Sequence, residues 1–167
     1  MPDEDQGPEV DEFFSLWVLI AQTRDAMLRA RERDYARFGI TNERRAILHI
    51  IDSNGGRATP VDIARDLFRE LHSVTGMLKR MEDAGLISRH KGSGRSKVEV
   101  RLTDEGRDVL VRSRGSETDM RILSVLTKRE RERLASYLLR VRGKVLDDLG
   151  IREWELPLPE HATDPEG

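Results

Sequence analysis

A stretch of polar and basic residues in the middle of the chain has the composition of a nucleic-acid contact surface. Between Arg69 and Lys97 there are seven Lys or Arg residues and three acidic ones, a local charge of +4. Short polar residues come first and cations follow: His72, Ser73, Thr75, Gly76, Lys79 and Arg80. Short polar groups suit base edges in a groove, whereas cations suit phosphates. The pattern predicts contact with double-stranded DNA.

Two helices and a hairpin are predicted to position these side chains. Apolar residues at helical spacing give residues 71–84 one buried face, and Gly85 suits the left-handed end of that helix. A shorter helix begins at Thr59-Pro60, because threonine caps a helix and proline fits its first turn. The runs 86–91 and 97–102 then predict two short strands. This order is that of a winged helix-turn-helix.

The tip of the hairpin, residues 92–94 (Gly-Ser-Gly), allows two interpretations. A glycine-rich loop can cradle a phosphate, but this one lacks the Walker spacing and the strand-to-helix context of a nucleotide site. A turn between strands is favoured. The cations around it, Lys91, Arg95 and Lys97, are then expected to contact DNA, the alternative being ordinary solvated side chains.

Longer helices are predicted on both sides of this module. One runs from residue 13 to about 38, a second starts after Thr41, and a third extends over 103–123. The last covers roughly 128–148 and opens with a capping box. The residues after Ile151 include two Leu-Pro pairs and indicate an extended tail.

Four short motifs occur in order and at compatible spacing. They are DIA at 62–64, SVT at 73–75, LKRMEDAGLISR at 78–89 and VRLTDEG at 100–106. Together they resemble the MarR family of winged helix-turn-helix transcription regulators. The resemblance is close in the region of these motifs and elsewhere rests on helix order and length.

The resemblance implies a mainly α fold with a small β-hairpin wing, whose DNA-binding domain is flanked by N- and C-terminal dimerisation helices. The expected parts are a disordered acidic N-terminus (1–9), helical dimerisation regions (10–38 and 108–151), a winged helix-turn-helix domain (40–107) and an extended C-terminal tail (152–167). A cytoplasmic homodimer is implied that acts as a repressor on a pseudo-palindromic operator. A small lipophilic or anionic effector is expected to release the DNA.

Each candidate residue has an expected role in such a fold. The base-contacting residues are His72, Ser73, Thr75 and Gly76. The phosphate-contacting residues are Thr41, Thr59, Lys79, Arg80, Lys91 and Lys97, and Arg95 at the wing tip enters the minor groove. The dimer-interface residues are Phe13, Phe14, Trp17, Leu138, Val145 and Trp154. The alternatives are core packing for the aromatic residues of the first helix and a frayed terminus for Trp154.

The effector pocket and the wing carry two further expectations. Trp17 and His49 are candidates for the effector pocket. The family usually has an Asp-Arg pair at the wing tip, where this chain has Gly94 and Arg95, and the wing is about one residue shorter. Gly76 stands where many members have a larger polar residue, which shifts base reading toward its polar neighbours.

Several other function classes are disfavoured. The chain has no cysteine, so it has no thiolate metal site and no thiol redox switch. His49 and Asp52 lie one turn apart, but no convincing ligand set forms, so neither a metal nor another cofactor is expected. No catalytic motif or nucleotide fingerprint is present, which argues against an enzyme. No apolar run approaches the roughly 18 residues that would span a membrane.

The charge distribution supports a polyanionic partner. The net charge is −2, but residues 13–151 hold 28 basic and 20 acidic residues, because the acidic residues are concentrated at both ends. Dense charge also solvates helix faces, so this observation alone leaves both interpretations open. The alternative function is a winged-helix protein-interaction module without specific DNA binding. It predicts a neutral or acidic helix and wing, and the local charge of +4 disfavours it.

Overall fold

The computed structural model describes residues 8–92, 98–114 and 117–151. The elements are α1 (Pro8–Ala36), α2 (Asn42–Ser53), β1 (Arg57–Ala58), α3 (Pro60–Asp66), α4 (Leu71–Asp83), β2 (Ile87–Lys91), β3 (Val98–Leu102), α5 (Asp104–Arg112), α6 (Glu117–Leu123) and α7 (Lys128–Asp148). The predicted mainly α fold with a small hairpin wing is confirmed. The chain divides into two compact units, one up to Thr118 and one from Asp119. None of the described helices is both long and apolar enough to cross a membrane.

The core of the first unit lies among α2, α3, α4 and the strands. Its side chains come from the apolar positions that recur at helical spacing, and each contributes about 1.5–3 kcal/mol on full burial. The completely buried members are Ile47, Leu48, Ile51, Ile63, Val74, Met81 and Val100. In α2 the sequence pattern favoured Ala46 and Ile50 over Leu48, whereas the structure buries Leu48 completely and the other two only partly.

The sheet has three antiparallel strands in the order β1-β3-β2. The alternation in the sequence predicted only the hairpin. In the structure, Ile87 of β2 pairs with Leu102 of β3, and Lys91 pairs with Val98. The additional strand β1 pairs Ala58 with Val100, and at two residues it is too short to show a periodic pattern. It makes β3 the central strand, so the root of the wing is held on both edges.

The turn between α3 and α4 brings the two helices together through a left-handed residue. Phe68 has a φ of 51° and its side chain is exposed. A non-glycine residue in this region costs roughly 1–2 kcal/mol. The turn is closed by the Arg69 N–H, which donates to the Ala64 carbonyl at 2.9 Å.

The single helix predicted over 103–123 is wrong, because the structure has two helices, α5 and α6. At the end of α5 the Ser113 hydroxyl donates to the Leu110 carbonyl at 3.1 Å, which competes with continued helical hydrogen bonding. Near the start of α6 the Thr118 N–H donates to the Asp34 carboxylate at 3.2 Å. The Thr118 N–H lies in the first turn of α6 and has no intrahelical acceptor, so this contact with α1 satisfies it. The sequence pattern does not encode the contact. At the N-terminus α1 begins at Pro8, earlier than residue 13, as proline is tolerated in a first turn.

Gly106 provides a test of how α5 packs on the loop before β2. A Cβ at this position would lie 2.0 Å from the Leu86 carbonyl oxygen. Gly106→Ala is therefore expected to destabilise the fold by about 1–3 kcal/mol, because backbone must shift. Gly76→Ala is the matched control: that Cβ has ordinary contacts, and alanine favours a helix. Thermal melting should show a lower Tm for the first variant only; equal Tm values would contradict the packing described here.

Candidate nucleic-acid interface

The helix α4 presents one polar face to solvent. Its other face is fixed in the core, since Val74, Leu78 and Met81 are all 1% exposed or less. At 3.6 residues per turn this anchoring places the predicted base-contacting residues together on the opposite side. These are His72, Ser73 and Thr75, which are exposed, and Gly76, which is half-buried.

Hydrogen bonding within α4 limits what Thr75 can offer a partner. Its hydroxyl donates to the Leu71 carbonyl one turn earlier, at 2.8 Å. The hydroxyl proton is therefore used, and the side chain presents acceptor lone pairs and a methyl group. Leu71 is itself 45% exposed in the first turn, a position that the sequence analysis did not single out. An apolar group there suits the methyl of a thymine.

The helix N-termini predicted to face phosphates are capped. Thr59 and Asp62 form a reciprocal capping box, with Asp62 N–H to Thr59 Oγ1 at 3.2 Å and Thr59 N–H to Asp62 Oδ2 at 3.1 Å. Thr41 Oγ1 accepts from the Arg44 N–H at 3.3 Å. Both hydroxyl oxygens thus serve their own helices. Any phosphate contact at these positions falls to the uncapped backbone N–H groups of the first turns.

An ion pair joins α4 to the first strand of the wing; we call it the Glu82–Arg89 clamp. Arg89 Nε donates to Glu82 Oε2 at 2.7 Å, and the Arg89 backbone N–H donates to Glu82 Oε1 at 3.2 Å. The side-chain hydrogen bond from Arg89 holds the pKa of Glu82 below its ordinary value, and the same contact raises the pKa of Arg89. Arg89 had been counted only as part of the basic charge; the structure uses it to fix the wing.

Other arginines near the interface are also used within the protein. On α3, Arg65 Nη1 lies 3.6 Å from Asp62 Oδ1, and Arg65 Nε lies 3.0 Å from Asp66 Oδ1. Burial raises the pKa of Asp66, and the hydrogen bond from Arg65 opposes this shift. On β3, Arg101 Nε donates to Glu99 at 2.6 Å. These cations are already neutralised and are poor candidates for phosphate contacts.

Three of the predicted DNA-contacting cations remain available. Lys79, Arg80 and Lys91 are exposed, and none has a salt bridge to any residue in the described ranges. They lie on α4 and on the outer end of β2, the two elements joined by the clamp. Arg95 and Lys97, predicted for the wing tip and a phosphate, lie outside the described residues.

The predicted dimer-interface residues are not buried by the chain itself. Phe13, Phe14 and Trp17 are between 66% and 71% exposed on α1. On α7, Leu138 and Val145 are 48% and 42% exposed. These residues therefore do not belong to the core of either unit. Trp154 lies outside the described residues.

A cavity of about 200 Å³ lies in the first unit, where the end of α1 meets the end of α5. Its lining is rich in charged and aromatic groups: Asp34, Tyr35, Arg37, Phe38, Arg112, Ser113, Arg114 and Glu117. Trp17 and His49, the candidate effector-pocket residues, are not part of this lining and are exposed. Within the described ranges, no three His, Asp or Glu side chains group as a metal site would require.

Comparison with known proteins finds a family match in the middle of the chain. Residues 40–96, which contain α2 to β2 and the start of the wing, match the model of the MarR family. This segment, about a third of the chain, is similar to the MarR family. No curated protein matches the chain.

Solved structures extend the MarR-family likeness beyond the matched segment. The organohalide-sensing transcriptional regulator RdhR, in a form bound to 2,4-dichlorophenol, has a TM-score of 0.75 and 26% identity, covering 96% of this chain and 98% of that one. A MarR mutant from E. coli complexed with operator DNA has a TM-score of 0.72 and 24% identity, covering 78% and 96%. The S. aureus MepR–DNA complex has a TM-score of 0.66 and 24% identity, and the match covers 76% of this chain and 94% of that one. The fold is that of MarR-family transcription regulators.

The Glu82–Arg89 clamp gives a pH-dependent prediction. Because the folded pKa of Glu82 is lowered, the pair stabilises the protein at pH values above the unfolded pKa of about 4.3 and is lost as the pH falls through the folded value. Glu82→Gln should therefore have a lower Tm than the wild type at pH 7. Near pH 3 the two Tm values should converge, because protonation removes the ion pair from the wild type as well. Glu43→Gln is the control, because Glu43 lies in the first turn of α2 and forms no ion pair with the residues that the structure describes. An equal Tm difference at both pH values would contradict the clamp.

Proposed function

We propose that this protein is a sequence-specific DNA-binding transcription regulator that acts in the cytoplasm as a homodimer on a pseudo-palindromic operator. The observation that carries the proposal is the polar face of α4, with His72, Ser73 and Thr75 exposed opposite an anchored apolar face. The likeness to a MarR mutant complexed with operator DNA and to a MepR–DNA complex supports it. The proposed activity is binding, and no enzymatic step is part of it.

The proposed contacts divide into base reading and positioning. The major groove is about 12 Å wide and admits an α-helix, so the polar face of α4 meets base edges. Lys79 and Lys91 neutralise phosphates beside it, together with Lys97 and the N-termini at Thr41 and Thr59. Arg95 enters the adjacent minor groove, where A·T-rich narrowing attracts arginine. Residues 40–107 form the DNA-binding domain in this proposal.

The homodimer is proposed from the apolar side chains that the chain leaves exposed. Helix regions 10–38 and 108–151 carry these residues, and apolar surface of this kind marks interaction sites. Two copies would give two α4 helices related by a twofold axis, which matches the symmetry of a pseudo-palindrome. Trp154 is proposed to pack across the partner.

The regulatory output is proposed to be repression relieved by a small lipophilic or anionic molecule. The support is the likeness to RdhR, which has been solved with a chlorinated phenol. Trp17 and His49 remain the proposed contacts for such an effector. Their exposure in the single chain is consistent with a pocket completed by a second copy.

The DNA-binding proposal is tested by fluorescence anisotropy with the upstream intergenic duplex and a scrambled duplex at two salt concentrations. The expected result is tighter, salt-sensitive binding to the first duplex. Lys79→Ala should weaken binding to both duplexes and lower the salt slope by about one, whereas Ser73→Ala should reduce the difference between them. Lys128→Ala, on α7, is the surface-lysine control. Equal weak binding of the wild type to both duplexes would instead favour a protein-interaction module.

The dimer is tested by placing a charge among the exposed apolar residues of α7. Leu138→Asp combined with Val145→Asp should give a monomer in sedimentation equilibrium, because two desolvated carboxylates oppose association. Arg129→Asp, which is exposed on the opposite side of α7, should remain dimeric. A monomeric wild type, or a dimeric double variant, would rule out this interface.

A further inference from the structure

The guanidinium of Arg80 lies beside Gly76, one helical turn earlier on α4. A Cβ built on Gly76 would be 3.8 Å from Arg80 Nη1, which is ordinary van der Waals contact. Side chains on a helix tilt toward its N-terminus, so this position follows from normal helix geometry. The positive charge of Arg80 therefore lies beside Gly76. It is closer than the Cα of Arg80 to the first turns of α4, which are proposed to contact bases.

No side chain at Gly76 competes with this guanidinium for space. Positions 72, 76 and 80 form one i, i+4 row along the exposed face of α4. His72 and Arg80 are long polar side chains, and Gly76 between them has no side chain.

Arg80 is free to use its donors on a partner. It is exposed, and the described parts of the chain provide it with no salt bridge. Arg89, by contrast, is held by Glu82, and Arg65 by Asp62 and Asp66. In the major groove of DNA, a planar and unpaired guanidinium can donate two hydrogen bonds to the O6 and N7 acceptors of one guanine.

We infer that Arg80 reads a guanine in the operator, and that a bulky side chain at Gly76 would displace its guanidinium from the base. The inference rests on the proposed function and replaces the phosphate contact expected for Arg80 from its position in the sequence. It assigns a specificity-determining role to two residues that act together. Lys79, the adjacent cation, keeps the phosphate role.

The test is selection of bound sequences from a duplex pool randomised over two successive major grooves. The wild type should enrich one guanine at a fixed position in each half-site. Arg80→Lys should lose that guanine, with roughly tenfold or greater loss of preference, because an ammonium cannot form the bidentate pair. Gly76→Leu should lose it as well, although Arg80 is retained, because the leucine occupies the guanidinium position.

Lys79→Ala is the matched control, and it should bind more weakly while enriching the same sequence. Circular dichroism of each variant verifies that α4 is folded. If Arg80→Lys enriches the same guanine as the wild type, the inference is wrong and the proposed function stands. If Gly76→Leu keeps the guanine, the role of Gly76 is wrong. If the wild type enriches no sequence, the proposed function fails and the inference fails with it.

Discussion

Val74, Leu78 and Met81 anchor α4 in the core, and this burial determines which residues the helix presents to solvent. A helix with one face fixed by packing cannot rotate, because rotation would expose apolar surface at about 25 cal/mol per Å². The exposed row of His72, Gly76 and Arg80 follows from that restraint. DNA recognition, as proposed here, depends on a hydrophobic interaction on the other side of the same helix.

Polar contacts then fix the wing relative to α4. The Glu82–Arg89 clamp ties β2 to the helix, and β1 holds the far edge of β3. On the next loop the Thr103 hydroxyl donates to the Gly85 carbonyl at 2.6 Å and also caps α5 through the Gly106 N–H. These links make the helix and the root of the hairpin one rigid framework. A wing cation can contact DNA together with α4 only if such a framework exists.

Six basic residues around the proposed interface fall into two groups with different roles. Arg65, Arg89 and Arg101 are paired with carboxylates and organise the fold, whereas Lys79, Arg80 and Lys91 are left without such partners in the described ranges. A count of charges treats all six alike. Only the second group can release counterions from DNA phosphates or read a base, so the number of basic residues overstates the size of the effective interface.

The sequence by itself determined the helices α2, α3, α4 and α7 and the polar face of α4, since helical periodicity, Thr-Pro and capping signals are local properties of the chain. It also predicted the hairpin from the alternation at Val98, Val100 and Leu102. It did not predict β1, the break between α5 and α6, or the pairing of Glu82 with Arg89. Those features depend on contacts between residues distant in sequence or outside any helical period, such as Asp34 with Thr118 and Ala58 with Val100. Tertiary structure alone decided them, because the free energy that favours each contact exists only after the core has brought both partners together.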